Sequence, residues 1–286
     1  MTVRNGFWSA TEVAKPSTLL PVSPALGVVM AVLALVATAV AAVGMLGYGP
    51  AVLRSGVRAV VQLGLVSVVI ATITRSIPLT VAFVVLMYGV AARVAGRRIT
   101  TGRAAWWAAV PIGVATAPVI VLLLATGLVP PRGITMIPIA GILIGGALTA
   151  TTLAGRRAVD ELTHRRGEVE AALSLGLTDR EAALEICRPH AATALVPALD
   201  QTRTVGLVTL PGAFVGMLLG GASPVAAGAV QLFVLIALLA VEATAIVVTI
   251  ELAARGRFSH PDTIAEAARP WWRPPSRHPP GAGSRT

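Results

Sequence analysis

Glu242 is the deepest ionisable residue in a chain whose polar side chains are few and widely spaced. Gln62 and Gln231 also interrupt apolar runs, and Asp200, Gln201 and Arg203 stand together at the mouth of another. A carboxylate at bilayer depth is costly unless a partner, water or a proton relieves it, so such a group marks a transport pathway by default. Two readings of Glu242 follow: a group on the pathway, or a protonated or helix-paired structural carboxylate. Asp200 is placed to cap or hydrogen-bond near a helix start. Gln62 and Gln231 can hydrogen-bond between helices.

Metal ligation has little support in the pattern. The four histidines, His164, His190, His260 and His278, lie outside the apolar runs and form no HxxxH pair. Cys187 is the only cysteine, which excludes a disulfide framework and a CxxC site. Met30, Met45, Met87, Met136 and Met217 are scattered through apolar stretches, where methionine usually fills space. No GxxxxGK[ST] occurs, so the chain has no P-loop for ATP.

The second concentration of chemistry is Glu170–Pro189, EAALSLGLTDREAALEICRP, with four acidic residues and two arginines. Residues 169–175 favour a helix, and Gly176 suits the position just past its end. Thr178-Asp179-Arg180-Glu181 reads as a capping box that starts a second short helix, expected from Asp179 to about Cys187 and to stop before Pro189. A helix, a sharp turn and a short helix make a rigid lever that another protein could push.

What must position these residues is a membrane domain. The chain of 286 residues is 55% hydrophobic and 13% charged, with a mean hydropathy of +0.80. A soluble domain would carry about a quarter charged residues. Seven runs are long enough to cross a bilayer, at about 25–46, 57–73, 77–95, 105–128, 134–153, 196–220 and 225–252. They show no period-2 alternation, which argues against a barrel. The net charge of +10 comes from arginines that flank these runs, as the positive-inside rule requires, and a nucleic-acid surface is excluded on that ground.

Orientation follows from the same arginines. Arg54, Arg58, Arg93, Arg97, Arg98 and Arg103, the charged link after the fifth run and the basic tail share one side only if the N-terminus is outside and the C-terminus cytoplasmic. The opposite links carry Arg75 and Arg132 alone. The expectation is an all-α polytopic membrane protein with seven transmembrane helices in the inner (cytoplasmic) cell membrane. Its segments are an extracytoplasmic stretch over 1–24, a permease-like domain over 25–255 with a cytoplasmic loop at 154–195, and a basic, proline-rich tail over 256–286 that composition marks as disordered. Trp271 and Trp272 can rest at the interface or float free with the tail. The N-terminal stretch has no signal-peptide pattern.

Small residues four apart, Gly141-x3-Gly145-x3-Thr149 and Gly212-x3-Gly216-x3-Gly220, allow close helix approach. Intrachain packing, a dimer contact or a moving gate would each use such a strip. Pro111, Pro118, Pro138 and Pro211 are expected kink points.

The spacing E-A-A-x3-G-x9-I-x-x-P, present as Glu170-Ala171-Ala172, Gly176, Ile186 and Pro189, resembles the cytoplasmic EAA loop of ABC-transporter permeases, with Arg188 in place of the usual leucine. The stretches Arg58–Leu63, Ile137–Gly141 and Thr204–Gly212 extend the resemblance, in order over residues 50–255, to the iron-export ABC permease family, the FetB-like proteins, whose plant relatives are linked to aluminium tolerance. Gly146 departs from that family, where an amide side chain stands, and Glu242 has no evident counterpart.

The resemblance implies a non-enzymatic transport subunit that binds no cofactor itself. It also implies a separate ATP-binding subunit carrying ATP and Mg, a pair of each subunit, and iron or another metal ion as substrate. Glu170, Ala171, Ala172, Gly176, Leu177, Thr178, Ile186 and Pro189 would then dock the ATPase. Gln62, Asp200, Gln231 and Glu242 are pathway candidates, and Gly141, Gly145, Pro211, Gly212 and Gly216 are hinge or packing positions. Two alternatives stay open: an ABC permease for an organic substrate such as a nucleotide sugar or lipid-like molecule, and an ATP-independent, ion-coupled transporter working through Glu242.

Overall fold

The structure is a computed structural model that describes residues 23–73, 76–130 and 132–258. The expected outer segment over 1–24 (all but its last two residues), Arg75, His260, His278, Trp271-Trp272 and the tail beyond Phe258 lie outside the described residues. Among those described, the regular elements are helices: α1 Pro24–Val43, α2 Gly49–Ile73, α3 Ile77–Ile99, α4 Ala109–Ala125, α5 Gly133–His164, α6 Arg166–Ser174, α7 Asp179–Ala192, α8 Val196–Thr204, α9 Gly212–Leu219 and α10 Pro224–Ala254. Short 3-10 segments, Gly102–Ala108 and Thr193–Leu195, lead into α4 and α8. Six segments are long and apolar enough to cross a membrane: α1, α2, α3, Gly102–Ala125, α5 and α10. The chain is an all-helical, multi-pass membrane protein.

The expected sixth run, 196–220, is not one helix. Helix α8 ends at Thr204, Gly206 takes φ 83°, its amide donates to the Thr209 carbonyl at 2.9 Å, and Pro211 caps α9. A positive-φ glycine and a proline five positions apart break the helix although hydropathy continues through them. Leu207, Val208 and Leu210 stand exposed in the break. Two other helices outrun expectation. Helix α5 continues to His164, carrying Arg156 and Arg157 on its surface, and α7 runs through Pro189 to Ala192. Pro189 and Glu185, whose carbonyl loses its helical donor, are both exposed, so water can replace the missing bond.

The chain divides into two compact units. One takes the described part of Met1–Ile77 with Gly206–Leu232. In it, α1 begins at Ser23, whose side chain accepts from the Leu26 amide at 3.4 Å, and is apolar on every face with nearly all its side chains exposed. That is the pattern of a helix facing lipid. It returns through a turn at Gly44–Tyr48 to pack on α2, where a Cβ at Gly49 would lie 3.6 Å from the Ala42 methyl.

The other unit takes Pro78–Val205 with Phe233 onward. Its core is built largely from alanines: Ala92, Ala95, Ala108, Ala147, Ala154, Ala158, Ala191 and Ala245 are buried, filled in by Ile112, Leu143, Val241 and Phe258. Without a hydrophobic drive between lipid-bathed helices, close contact of small residues supplies the packing. The Tyr88 hydroxyl donates to the Ala109 carbonyl at 2.8 Å and ties α3 to the start of α4.

The closest crossing is at Gly96, where an added Cβ would sit 1.9 Å from the Ala105 carbonyl oxygen. Backbone cannot swing aside as a side chain can. Gly96→Ala is therefore expected to destabilise by about 1–3 kcal/mol or more. Gly89→Ala on the same helix, with nothing within 4 Å, should be neutral or stabilising. Thermal unfolding of the two variants in detergent checks this, and equal melting temperatures would refute the crossing.

Candidate functional site

The charged hairpin is built from local signals. In α6 the Arg166 Nε donates to Glu170 Oε1 at 3.0 Å, and at its start the Arg165 Nε donates to Glu168 Oε1 at 2.7 Å. The helix ends in a Schellman motif: the Leu177 amide donates to the Ala172 carbonyl at 3.3 Å and the Gly176 amide to the Leu173 carbonyl at 2.9 Å. Gly176 has φ 93°, where a side chain would be strained.

Thr178 then opens α7 with a reciprocal capping box. Its hydroxyl accepts from the Glu181 amide at 3.4 Å, and Glu181 Oε2 accepts from the Thr178 amide at 2.9 Å and hydroxyl at 2.8 Å. Those bonds, the amide's first, hold the Glu181 carboxyl below the usual glutamate range. The box therefore contributes fully above the ordinary glutamate pKa of about 4.3 and is lost as pH falls through the lowered value.

The hairpin has an outer and an inner face. Glu170, Ala171, Gly176, Thr178 and Pro189 are exposed, and Ala172 and Leu177 are half-buried. No residue of α6 is buried, and Leu175 at the tip is 83% exposed. Ile186 points the other way. With Ala182, Ala183, Cys187 and Ala191 it forms the buried stripe by which α7 packs in the unit's core, chiefly on α5. Burial also pushes the Cys187 thiol up to about 11, leaving it an inert core group.

A connection absent from the sequence reading joins the hairpin to α10. Glu251 accepts from Arg180 through both oxygens, Nε to Oε1 at 2.7 Å and Nη2 to Oε2 at 2.8 Å, and from Arg255 Nε at 2.6 Å. A bidentate guanidinium–carboxylate pair fixes direction as well as distance. Beside it, Leu184, Arg188 and Leu195 face Ile246, Val247 and Ile250 across a groove of about 380 Å³. Arg188, the position that departs from the EAA pattern, lines this groove. The only hint in the sequence was an acid at the end of the last apolar run, 71 residues from its partner.

The pathway candidates separate. Glu242 and Gln201 line one cavity of about 290 Å³ with Gly145, Gly146 and Thr149 of α5, Leu238 of α10, and Ala194, Pro197 and Ala198. A Cβ at Gly146 would stand 2.8 Å from Glu242 Oε1 and 2.6 Å from Leu238 Cδ2, so the glycine is what leaves room for the carboxylate. Asp200 is exposed beside Arg203, 3.7 Å away, and does not line the cavity.

Gln62 is exposed on α2, and Gln231 is buried in α10 with no hydrogen-bond partner for its Oε1 among the described residues. Both belong to the first unit. A Cβ at Gly141 would stand 3.1 Å from the Met87 methyl, whereas one at Gly145, Gly212 or Gly216 would meet nothing within 4 Å. Pro211 caps α9. Among the described residues no group of three or more His, Cys, Asp or Glu could hold a metal ion.

Residues 25–258 match the uncharacterised protein family UPF0014. The chain is 34% identical to the UPF0014 membrane protein STAR2 of Oryza sativa subsp. japonica over 235 residues, 80% of this chain and 79% of that protein. It is 38% identical to Protein ALUMINUM SENSITIVE 3 of Arabidopsis thaliana over 150 residues, 52% of this chain and 55% of that one. A protein of Escherichia coli named probable iron export permease protein FetB is 36% identical over 104 residues, 36% of this chain and 40% of its own. No solved structure matches. With a family match from the second residue of α1 to the end of the described chain, this multi-pass membrane protein belongs to the UPF0014 family.

Proposed function

We propose that the chain is the membrane-spanning subunit of an ATP-driven transporter that exports a metal cation, with ATP hydrolysed by a separate subunit docked on the α6–α7 hairpin. The observation that carries this reading is the hairpin itself. It has a doubly capped corner, an outer helix with no buried residue, and an exposed leucine at its tip. Such a corner offers a rigid, uncovered surface on which a partner can dock. The name of the Escherichia coli relative supports export and iron, and the arginine pattern supports a cytoplasmic hairpin in the cell membrane.

In this reading closure of two ATPase subunits pushes a pair of hairpins. Each α7 carries the push into its own α5 through the packed face and into α10 through Arg180 and Glu251. The break at Gly206–Pro211 supplies a place for the chain to bend. The test is affinity purification of the tagged chain from its native membrane. A co-purifying nucleotide-hydrolysing subunit is expected, and its removal should raise cellular iron and peroxide sensitivity. Purification of the chain without an ATPase, with transport intact in vesicles holding it alone, would replace this reading with an ion-coupled carrier.

One observation favours a second reading, an organic substrate. The cavity at Glu242 is lined mainly by apolar side chains, and no multi-ligand metal group stands among the described residues. ATPase activity that ignores iron and responds to a nucleotide sugar would select it.

A further inference from the structure

We infer that the cavity between α5, the α8 entry and α10 binds a divalent cation that keeps its inner shell of water, with Glu242 as counter-charge and Thr149 and Gln201 as acceptors for the bound waters. The inference rests on the transport reading only for its role; as a binding site it stands on geometry.

The Glu242 carboxylate lines the cavity and has no hydrogen-bond or ion-pair partner among the described residues, while the lining holds no Lys, Arg or His. A carboxylate in a spanning helix without a basic neighbour is relieved by a proton, by water or by a cation, and a hydrated cation supplies both of the last two. The remaining polar groups choose between cations. The Thr149 hydroxyl donates to the Gly145 carbonyl at 3.0 Å, which commits its proton and leaves its oxygen as an acceptor. Gln201 adds an amide oxygen. Metal-bound waters are donors, and these acceptors suit them.

Bare chelation does not suit the site. A dehydrated divalent ion takes about six oxygen ligands, and the described residues offer no cluster of three or more acidic, His or Cys side chains. Size agrees: six waters at about 30 Å³ each occupy about 180 Å³, within the 290 Å³ available. Gly146 keeps that space open beside Oε1. Recognition through water would accept several divalent ions of similar hydrated size.

The experiment uses the full chain in lipid nanodiscs, with Mn²⁺ binding followed by the loss of the free-ion EPR signal. Hexaamminecobalt(III), whose ammines do not exchange, serves as competitor because it can bind only through its outer sphere. One Mn²⁺ per chain displaced by the cobalt complex is expected. Glu242→Gln should weaken binding by about tenfold or more, as removal of a charged acceptor does. Glu242→Asp should retain part of it, Gly146→Leu should block it by bulk, and Asp160→Asn on the surface should leave it unchanged.

Mn²⁺ binding that ignores both Glu242→Gln and Gly146→Leu, resists the cobalt complex, or is absent would overturn the inference. None of these outcomes touches ATPase association, so this site can fail while the transporter reading stands. Equally, the site can be found in a chain that recruits no ATPase.

Discussion

Ala172→Arg is expected to abolish co-purification of the ATP-hydrolysing subunit while the permease itself folds and inserts. Ala172 lies three residues before the α6 C-cap on a helix without a fully buried residue, so an arginine there can extend its charged end into solvent without entering a core. Its carbonyl, which closes the Schellman turn, is unaffected by the side chain. Ala172 is half-buried rather than core, and substitutions outside the core usually stay within about 0.5 kcal/mol in stability. At a docked interface the same guanidinium would be buried without a partner, at a cost of several kcal/mol, and affinity should fall about a hundredfold or more. Pull-down from membranes, with thermal stability of the isolated permease as the control, decides the matter. Undiminished association would make the hairpin a solvated connection and remove the main physical support for an ABC-type subunit.

Arg180→Glu is expected to leave the ATPase bound but to cut substrate transport per ATP hydrolysed by about tenfold or more. Arg180 points its guanidinium at Glu251 of α10 and is not among the docking candidates, so docking is expected to survive. The substitution replaces a bidentate attraction with two facing carboxylates at the one ion pair linking the hairpin to α10 among the described residues. Its effect on global stability should be small. Arg180 is 50% exposed and Glu251 28% exposed, and pairs of that kind contribute about 1 kcal/mol or less. A large loss of coupling with a small loss of stability therefore separates transmission from folding. Glu251→Arg should fail similarly, and the double exchange should restore part of the coupling, incompletely because Arg255 then faces a like charge. Full coupling in Arg180→Glu would route the push through the α5–α7 packing alone.

Arg180–Glu251 and the Glu242 cavity share α10, with the two acids nine positions apart, or about 13 Å along the helix. In the proposed transporter, a single helix joining the hairpin's ion pair to the Glu242 cavity would give a push on the hairpin a direct mechanical route to that cavity. The ordinary loop connections would be a longer one.

Much of this protein was determined by its sequence alone. Apolar runs of about twenty residues can satisfy their backbone in lipid only as helices, so six of the seven expected spans appear with ends shifted by a few residues or extended. The hairpin corner was equally legible. Gly176, Thr178 and Glu181 fall within a six-residue stretch, and their hydrogen bonds need no tertiary partner. The break at Gly206–Pro211 was written in the same local terms, but hydropathy summed over 196–220 conceals it because Leu207, Val208 and Leu210 keep the run apolar.

Tertiary packing decided the rest. It turned Ile186 inward and left Leu175 outside, since the face of α7 that meets α5 is set by the path of α5 and not by the EAA spacing. It separated Asp200 from Glu242 while bringing Gln201, Thr149 and Gly146 to that carboxylate, and it joined Arg180 to Glu251. Each of these depends on where helices far apart in the chain cross. Helix crossings in lipid are set by the small-residue surfaces of both partners together, which no single stretch of sequence contains.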